Sequence, residues 1–246
     1  MKNILAIFLI LFSLTAFAAC EDQTPFGCPT ANVQTTVLFH KAYVDIYYND
    51  CKDPLVVVEH LWAGNLGGSL PRGSFHQEPD LPPALRAKSS DYDGRSKLGL
   101  DIGHLAPAED FATDPVAMRE SMNFSNTQPH DFRNNRGIWV QVENRARALA
   151  MKHGDVYVFT GGVYSDTPQK IGSGVCVPVS IYKIIVDAKT LQSVAYLIPN
   201  SSAVTKFPDY MTTIRHIECV SKINFLPTAD LATESKIKNT VGPDMQ

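Results

Sequence analysis

The chain has 246 residues, 44% of them hydrophobic, and 22 Lys and Arg against 25 Asp and Glu give a formal net charge of −3. That balance counts against a nucleic-acid partner held by bulk charge alone, leaving local basic clusters as the only electrostatic route to one. The apolar content is enough for a sizeable core, and roughly 225 residues beyond a leader suit one α/β or α+β domain, or at most two small ones.

Residues 1–19 have the layout of a secretory signal peptide: Lys2, an apolar run from Ile4 to Phe17, then small residues closing in Ala16-Phe17-Ala18. The run is short for a bilayer span, which places a cleaved leader above a transmembrane anchor. No later stretch is long and apolar enough to span, so an exported protein, secreted or periplasmic, is expected. Five cysteines remain, at 20, 28, 51, 176 and 219, and an exported chain meets a compartment where thiols pair. Five is odd. A lipid on Cys20 would leave four thiols for two disulfides, although Phe17 stands where lipoprotein signals usually carry Leu. No two cysteines have the close spacing of a structural zinc site.

Residues 20–35, rich in Thr, Pro and Asn, read as an irregular N-terminal arm ahead of one domain over 36–246. "TTVLFHKAYVDIYYND" and "DPLVVVEHLW" are β-rich runs separated by a turn near Asn49 and Asp50. The segment 71–97 carries too much Pro, Gly, Ser and charge for a buried element, and loops this long are commonly functional. Leu98, Leu100 and Ile102 then alternate with Gly99, Asp101 and Gly103, the period of a strand, with His104 continuing the apolar face unless Gly103 breaks it. From Asn135 to about Lys152 the spacing of Ile138, Val142, Ala146 and Leu149 predicts a helix, with Asn134 able to cap its start and Gly154 its end. "DVYVFTGGVY", "VPVSIYKIIVD" and "SVAYLIPN" read as strands. A short helix is expected near Asp209–Glu218, and a polar, loosely held tail from Ala229.

Taken together, "DIGHLAPAEDF", "FSNTQPHDFRNNRGIW" and "VENRAR" resemble the DNA/RNA non-specific endonucleases of the ββα-metal (His-Me finger) superfamily, the endonuclease G group. The family signature is Asp-Arg-Gly-His, an Asn near a Pro, a second Asn, then Trp and Glu on a helix. Asp101, Gly103, His104, Asn126, Pro129, Asn135, Trp139 and Glu143 match it in order. The elements and the resemblance together give an α+β fold: a central antiparallel sheet flanked by helices, with a strand–loop–helix site.

The resemblance implies phosphodiester hydrolysis. His104 would be the general base, a role suited to a side chain largely uncharged near neutral pH. Asn135 would be the direct ligand of one Mg²⁺, with Mn²⁺ as the alternative ion, and Glu143 would hold water on that ion. A neutral amide oxygen satisfies a hard cation without cancelling its charge. Read alone, Asn135 is a capping residue and Glu143 a solvated one. Asn126 would fix local geometry, or is a plain turn residue; Arg147 would pair with Glu143 or touch phosphate. By strand parity Asp101 faces away from His104 and is structural; His130 is read as a surface residue and Trp139 as helix packing.

One position departs. Where the signature has Arg, this chain has Ile102, on the same face as His104. A cation that would steady the pentacoordinate phosphorane is missing. Arg72 in the long loop, which resembles a second active-site Arg of the family, is the first substitute, with Arg95, Lys97, Arg133 and Arg136 near enough in sequence to contribute. The expected partners are the backbones of DNA and RNA; homodimerisation and an inhibitor protein are left open. The rival is a catalytically weak relative that binds nucleic acid or protein, while a metal-dependent phosphatase would need a richer ligand set.

Overall fold

The structure, a computed structural model, describes residues 20–239 together with 241, 242 and 245. The expected leader lies outside the described residues. In chain order, β1 (Thr30–Ala31), β2 (Thr35–Phe39), β3 (Tyr43–Tyr48) and β4 (Asp53–Trp62) precede the long loop. Then come β5 (Leu100–His104), α1 (Pro115–Ser121), β6 (Thr127–Asp131), α2 (Phe132–Arg136) and α3 (Ile138–His153). The last part runs β7 (Asp155–Val163), β8 (Lys170–Ile171), β9 (Val175–Cys176), β10 (Ser180–Asp187), β11 (Ser193–Pro199), β12 (Met211–Thr212), α4 (Ile214–Ser221), β13 (Ile223–Asn224) and α5 (Leu231–Lys238).

Seven strands form one antiparallel sheet in the order β12-β11-β10-β7-β4-β3-β2. The centre is buried on both faces: every residue from Ile181 to Asp187 in β10 is buried, the pattern of a strand covered on each side. One face packs against α4, α5 and the N-terminal segment through Val56, Phe159, Tyr182, Ile184, Ile217 and Ile237. The other receives α3, whose Ile138, Trp139, Val142, Ala146 and Leu149 meet Val156, Val158, Ile181 and Ile185. Burying each larger apolar side chain contributes about 1.5–3 kcal/mol. Because β4 pairs with β7, the whole segment between them, hairpin and helices included, is an excursion from neighbouring central strands.

That excursion holds the predicted site motif. β5 and β6 form a separate two-stranded ladder, with Asp101 opposite His130 and His104 opposite Thr127. The alternation starting at Leu98 begins two residues early, since Leu98 ends a 3₁₀ turn and Gly99, at φ 71, breaks it from the strand. Gly103 does not break the strand. The predicted single helix from Asn135 is two: Asp131, not Asn134, caps α2 by accepting from the amides of Arg133 and Asn134 at 3.0 Å, and Gly137 (φ −121, ψ −97) separates α2 from α3. Asn134 is buried and donates to Pro199 O.

Two other expectations need correction. The polar tail is held, because α5 inserts Ile237 into the core and the buried Lys238 bonds Glu218 at 2.7 Å and Glu234 at 2.5 Å. The helix expected near Asp209–Glu218 is a 3₁₀ turn at Phe207–Tyr210, then β12, then α4 capped by Thr213. Cys20 is bonded to Cys28, and Cys51 to Cys176, so the odd thiol is the exposed Cys219.

The Cys51–Cys176 bridge joins residues 125 apart and closes a long loop of the unfolded chain. Replacing both by Ala should lower unfolding free energy in guanidinium by about 2–4 kcal/mol. Cys219→Ser should change it by less than about 0.5 kcal/mol.

Candidate active site

His104, Asn135 and Glu143 line one cavity of about 450 Å³, together with Arg72, Arg95, Asp101, Ile102, Glu109 and Arg136. Each reaches it from a different element. His104 closes β5, and the chain beyond it is held by Asn126, which is fully buried. Asn126 accepts from Ala106 N at 2.9 Å, donates to Ala106 O at 2.8 Å and Ser121 O at 2.9 Å, and its own carbonyl accepts from Leu105 N at 3.0 Å. It does not line the cavity, and its side chain is used in holding this backbone.

The His104 ring lies tilted at 34° to Phe75, centroids 4.9 Å apart, and its Nε2 is buried without a hydrogen-bond partner among the described residues. Burial first, then the positive charge of Arg72, pushes the imidazole down from 6.5 to about 4. It is therefore neutral at pH 7, the state a general base requires.

Asn135 sits in α2, facing back onto the hairpin. Its Oδ1 lies 3.4 Å from His130 Nδ1, and its Nδ2 donates to Asp101 Oδ2 at 3.4 Å. The amide's polarity is thus set from both ends. Asp101 also receives Arg136 through two bonds, at 2.6 and 3.0 Å. Asp101 shares the His130 face of the hairpin, as strand parity predicts, yet it also lines the cavity beside Asn135 and Arg136. His130, expected at the surface, is fully buried, edge-on to Trp139 at 5.6 Å and 81°. Trp139 is helix packing, as read.

Glu143 has no hydrogen-bond partner among the described residues, and burial raises its carboxyl to about 7 although the charges of Lys183 and Arg147 oppose this. Arg147 neither pairs with Glu143 nor lines the cavity. Its guanidinium bonds the buried Asp110 at 2.7 Å and Asn144 at 2.8 Å, so its carboxylate partner is Asp110 and not Glu143. Arg72 does reach the cavity, joined to Glu109. Glu109 was not singled out from sequence; it lies five residues past His104 on a 3₁₀ turn, where no periodicity marks it.

No cluster of three or more His, Cys, Asp and Glu able to hold a metal occurs among the described residues. A cation here would rest on the Asn135 amide oxygen, the Glu143 carboxylate and water. That sparse oxygen set fits Mg²⁺, which keeps several waters.

A two-stranded ladder, a broken helix, and a histidine and an amide on one cavity define a ββα-metal scaffold. The chain belongs to the DNA/RNA non-specific endonuclease family, whose sequence profile matches residues 22–232. Membership makes it a nuclease. It is 32% identical over 233 residues to nuclease C1 of Cunninghamella echinulata var. echinulata, covering 87% of this chain and 90% of that one. Human mitochondrial nuclease EXOG is 28% identical over 243 residues, but this chain covers 63% of its length. Among solved structures, a chain of the EndoG/EndoGI complex superposes with a TM-score of 0.77 at 24% identity, covering 89% of this chain and 98% of that one. It shares the fold.

His130 gives a pH test. Burial pushes it from 6.5 to about 4, against the raising effect of its bond to Asn135. The folded value lies below the unfolded one, so stability is full above pH 6.5 and drains as pH falls toward 4. Urea unfolding should show His130 contributing a loss on the order of 2 kcal/mol between about pH 7.5 and 4.5. His130→Gln should flatten that slope.

Proposed function

We propose that this nuclease is an exported, Mg²⁺-dependent, sequence-non-specific endonuclease of DNA and RNA, secreted or periplasmic. Residues 36–246 act as the nuclease domain behind the arm at 20–35. The observation that carries the reading is that His104 and Asn135, from different elements, line one cavity bordered by three arginines. Two disulfides suit an oxidising compartment, and no helix among the described residues is long and apolar enough to cross a membrane.

His104, neutral at working pH, removes a proton from the attacking water. Asn135 Oδ1 and Glu143 would hold the cation, which when bound supplies a Lewis acid for a phosphate oxygen and the departing 3′ oxygen. Asp101 and His130 hold the Asn135 amide in place. The cavity arginines meet the phosphate backbone, which carries no sequence information, so selectivity among bases is low.

Purified protein lacking residues 1–19, incubated with plasmid DNA and with RNA, should cut both with Mg²⁺ and neither with chelator present. His104→Ala should lower the rate about 10²–10⁴-fold, and Asn135→Ala should abolish the Mg²⁺ response. Binding at low salt without cutting in Mg²⁺ or Mn²⁺ would overturn the reading in favour of a binding protein.

A further inference from the structure

The three cavity arginines differ in their partners. Arg72 is joined to Glu109, and Arg136 is bidentate on Asp101. Each is neutralised where it stands. Arg95 donates to the Tyr92 carbonyl at 3.3 Å and has no carboxylate ion pair among the described residues. Asp101 is within electrostatic reach of it, but that carboxylate already receives Arg136 and Asn135.

The backbone fixes where Arg95 stands. It opens the 3₁₀ turn Arg95–Leu98, bounded by Gly94 at φ 77 and Gly99 at φ 71, left-handed positions that suit glycine. Upstream, Tyr92 is fully buried with its hydroxyl on Thr127 Oγ1 at 3.2 Å, which anchors the turn to the hairpin. On the adjoining wall Ile102 packs with Leu100, Phe124 and Phe75 and brings no charge.

We propose that Arg95 is a catalytic residue of this nuclease: its guanidinium contacts the non-bridging phosphate oxygens and stabilises the negative charge that accumulates as water attacks. The proposal rests on the assignment of His104 and Asn135 above. In the step, the water oxygen bonds to phosphorus and its proton passes to His104. The P–O3′ bond breaks, its electron pair leaves on O3′, and that oxygen takes a proton from solvent. Arg95 exchanges no proton. It supplies from the loop the cation that β5 lacks at Ile102.

The test is steady-state cleavage of a defined DNA duplex. Arg95→Ala should lower kcat about 10²–10³-fold with KM changed by less than about threefold and an unchanged unfolding midpoint. Arg95→Lys should restore part of the loss, and Ile102→Arg in the Arg95→Ala background should restore kcat by at least about tenfold. Arg72→Ala should cost less than Arg95→Ala. An Arg95→Ala variant within about twofold of the parent in kcat, or one that changes KM alone, overturns the proposal. His104→Ala separates the two failures. If it is inactive while Arg95→Ala is not, only the role of Arg95 falls; if it retains full activity, the assignment of the site falls with it.

Discussion

The site depends on one ring lying against one stretch of backbone. His130 sits over Gly103 so closely that a Cβ there would fall 2.1 Å from Nδ1. Any other residue at 103 would push β5 off β6, and overpacking of this kind costs about 1–3 kcal/mol or more. The damage would not stay local, because His104 is the next residue and Asn135 touches the same ring. Trp139 closes the far side of His130, so hairpin, α2 and α3 share a single packed contact. A glycine before the histidine is thus a steric requirement of the fold, and the geometry of the base follows from it.

Behind that contact lies a second constraint, electrostatic in kind. Lys183, fully buried in β10, donates to Thr160 Oγ1 at 2.6 Å and to Leu105 O at 3.3 Å, and stands 5.6 Å from the centre of the Trp139 ring. Its nearest carboxylate, Glu59, is 4.0 Å away, with both oxygens unbonded among the described residues, and Asp110 is held by Arg147. Buried ions cost several kcal/mol each unless paired and hydrogen-bonded, so an apolar core would be cheaper. What the charges accomplish is local. Lys183 fixes the carbonyl of the residue after His104, and with Arg147 it opposes the burial that raises the Glu143 carboxyl.

Much of this was legible in the sequence, and the rest was not for identifiable reasons. Period-two runs placed the central strands, and the spacing Ile138, Val142, Ala146, Leu149 placed α3, because one buried face repeats along each element. The ordered set from Asp101 to Glu143 located the cavity. His130 was misread because its burial comes from Trp139 and Gly103, partners that no local pattern reveals. Arg147 was misread because Glu143 is its neighbour one turn away, whereas Asp110 is its partner across the fold. Asn135 looked like a cap because the break at Gly137 depends on backbone angles that composition does not show. The tail is loose by composition, yet Ile237 in the core and the ion pairs of Lys238 hold it.

On the proposed roles, the groups of the cavity differ in how strictly their positions must be set. The proton abstraction and metal ligation proposed for His104 and Asn135 need groups placed within about 0.5 Å of their working geometry, and the two residues stand on a strand and a helix clamped by Asn126, His130 and Asp101. A cation acting on phosphate charge works through a Coulomb term that falls only as the inverse of distance, so its position is more forgiving. Such a group can stand on a loop. Arg72 and Arg95 both arise from the long segment 71–97, which is pinned to the hairpin by Tyr92 and to the 121–126 region by Glu78, through Asn123 Nδ2 at 2.7 Å and Ser125 Oγ at 2.8 Å. Ile102 is part of the apolar wall with Phe75 and Phe124, and the charge proposed to meet the phosphate stands outside the strand. The same exchange at position 104 or 135 would have no substitute, since no other imidazole or amide lines the cavity among the described residues.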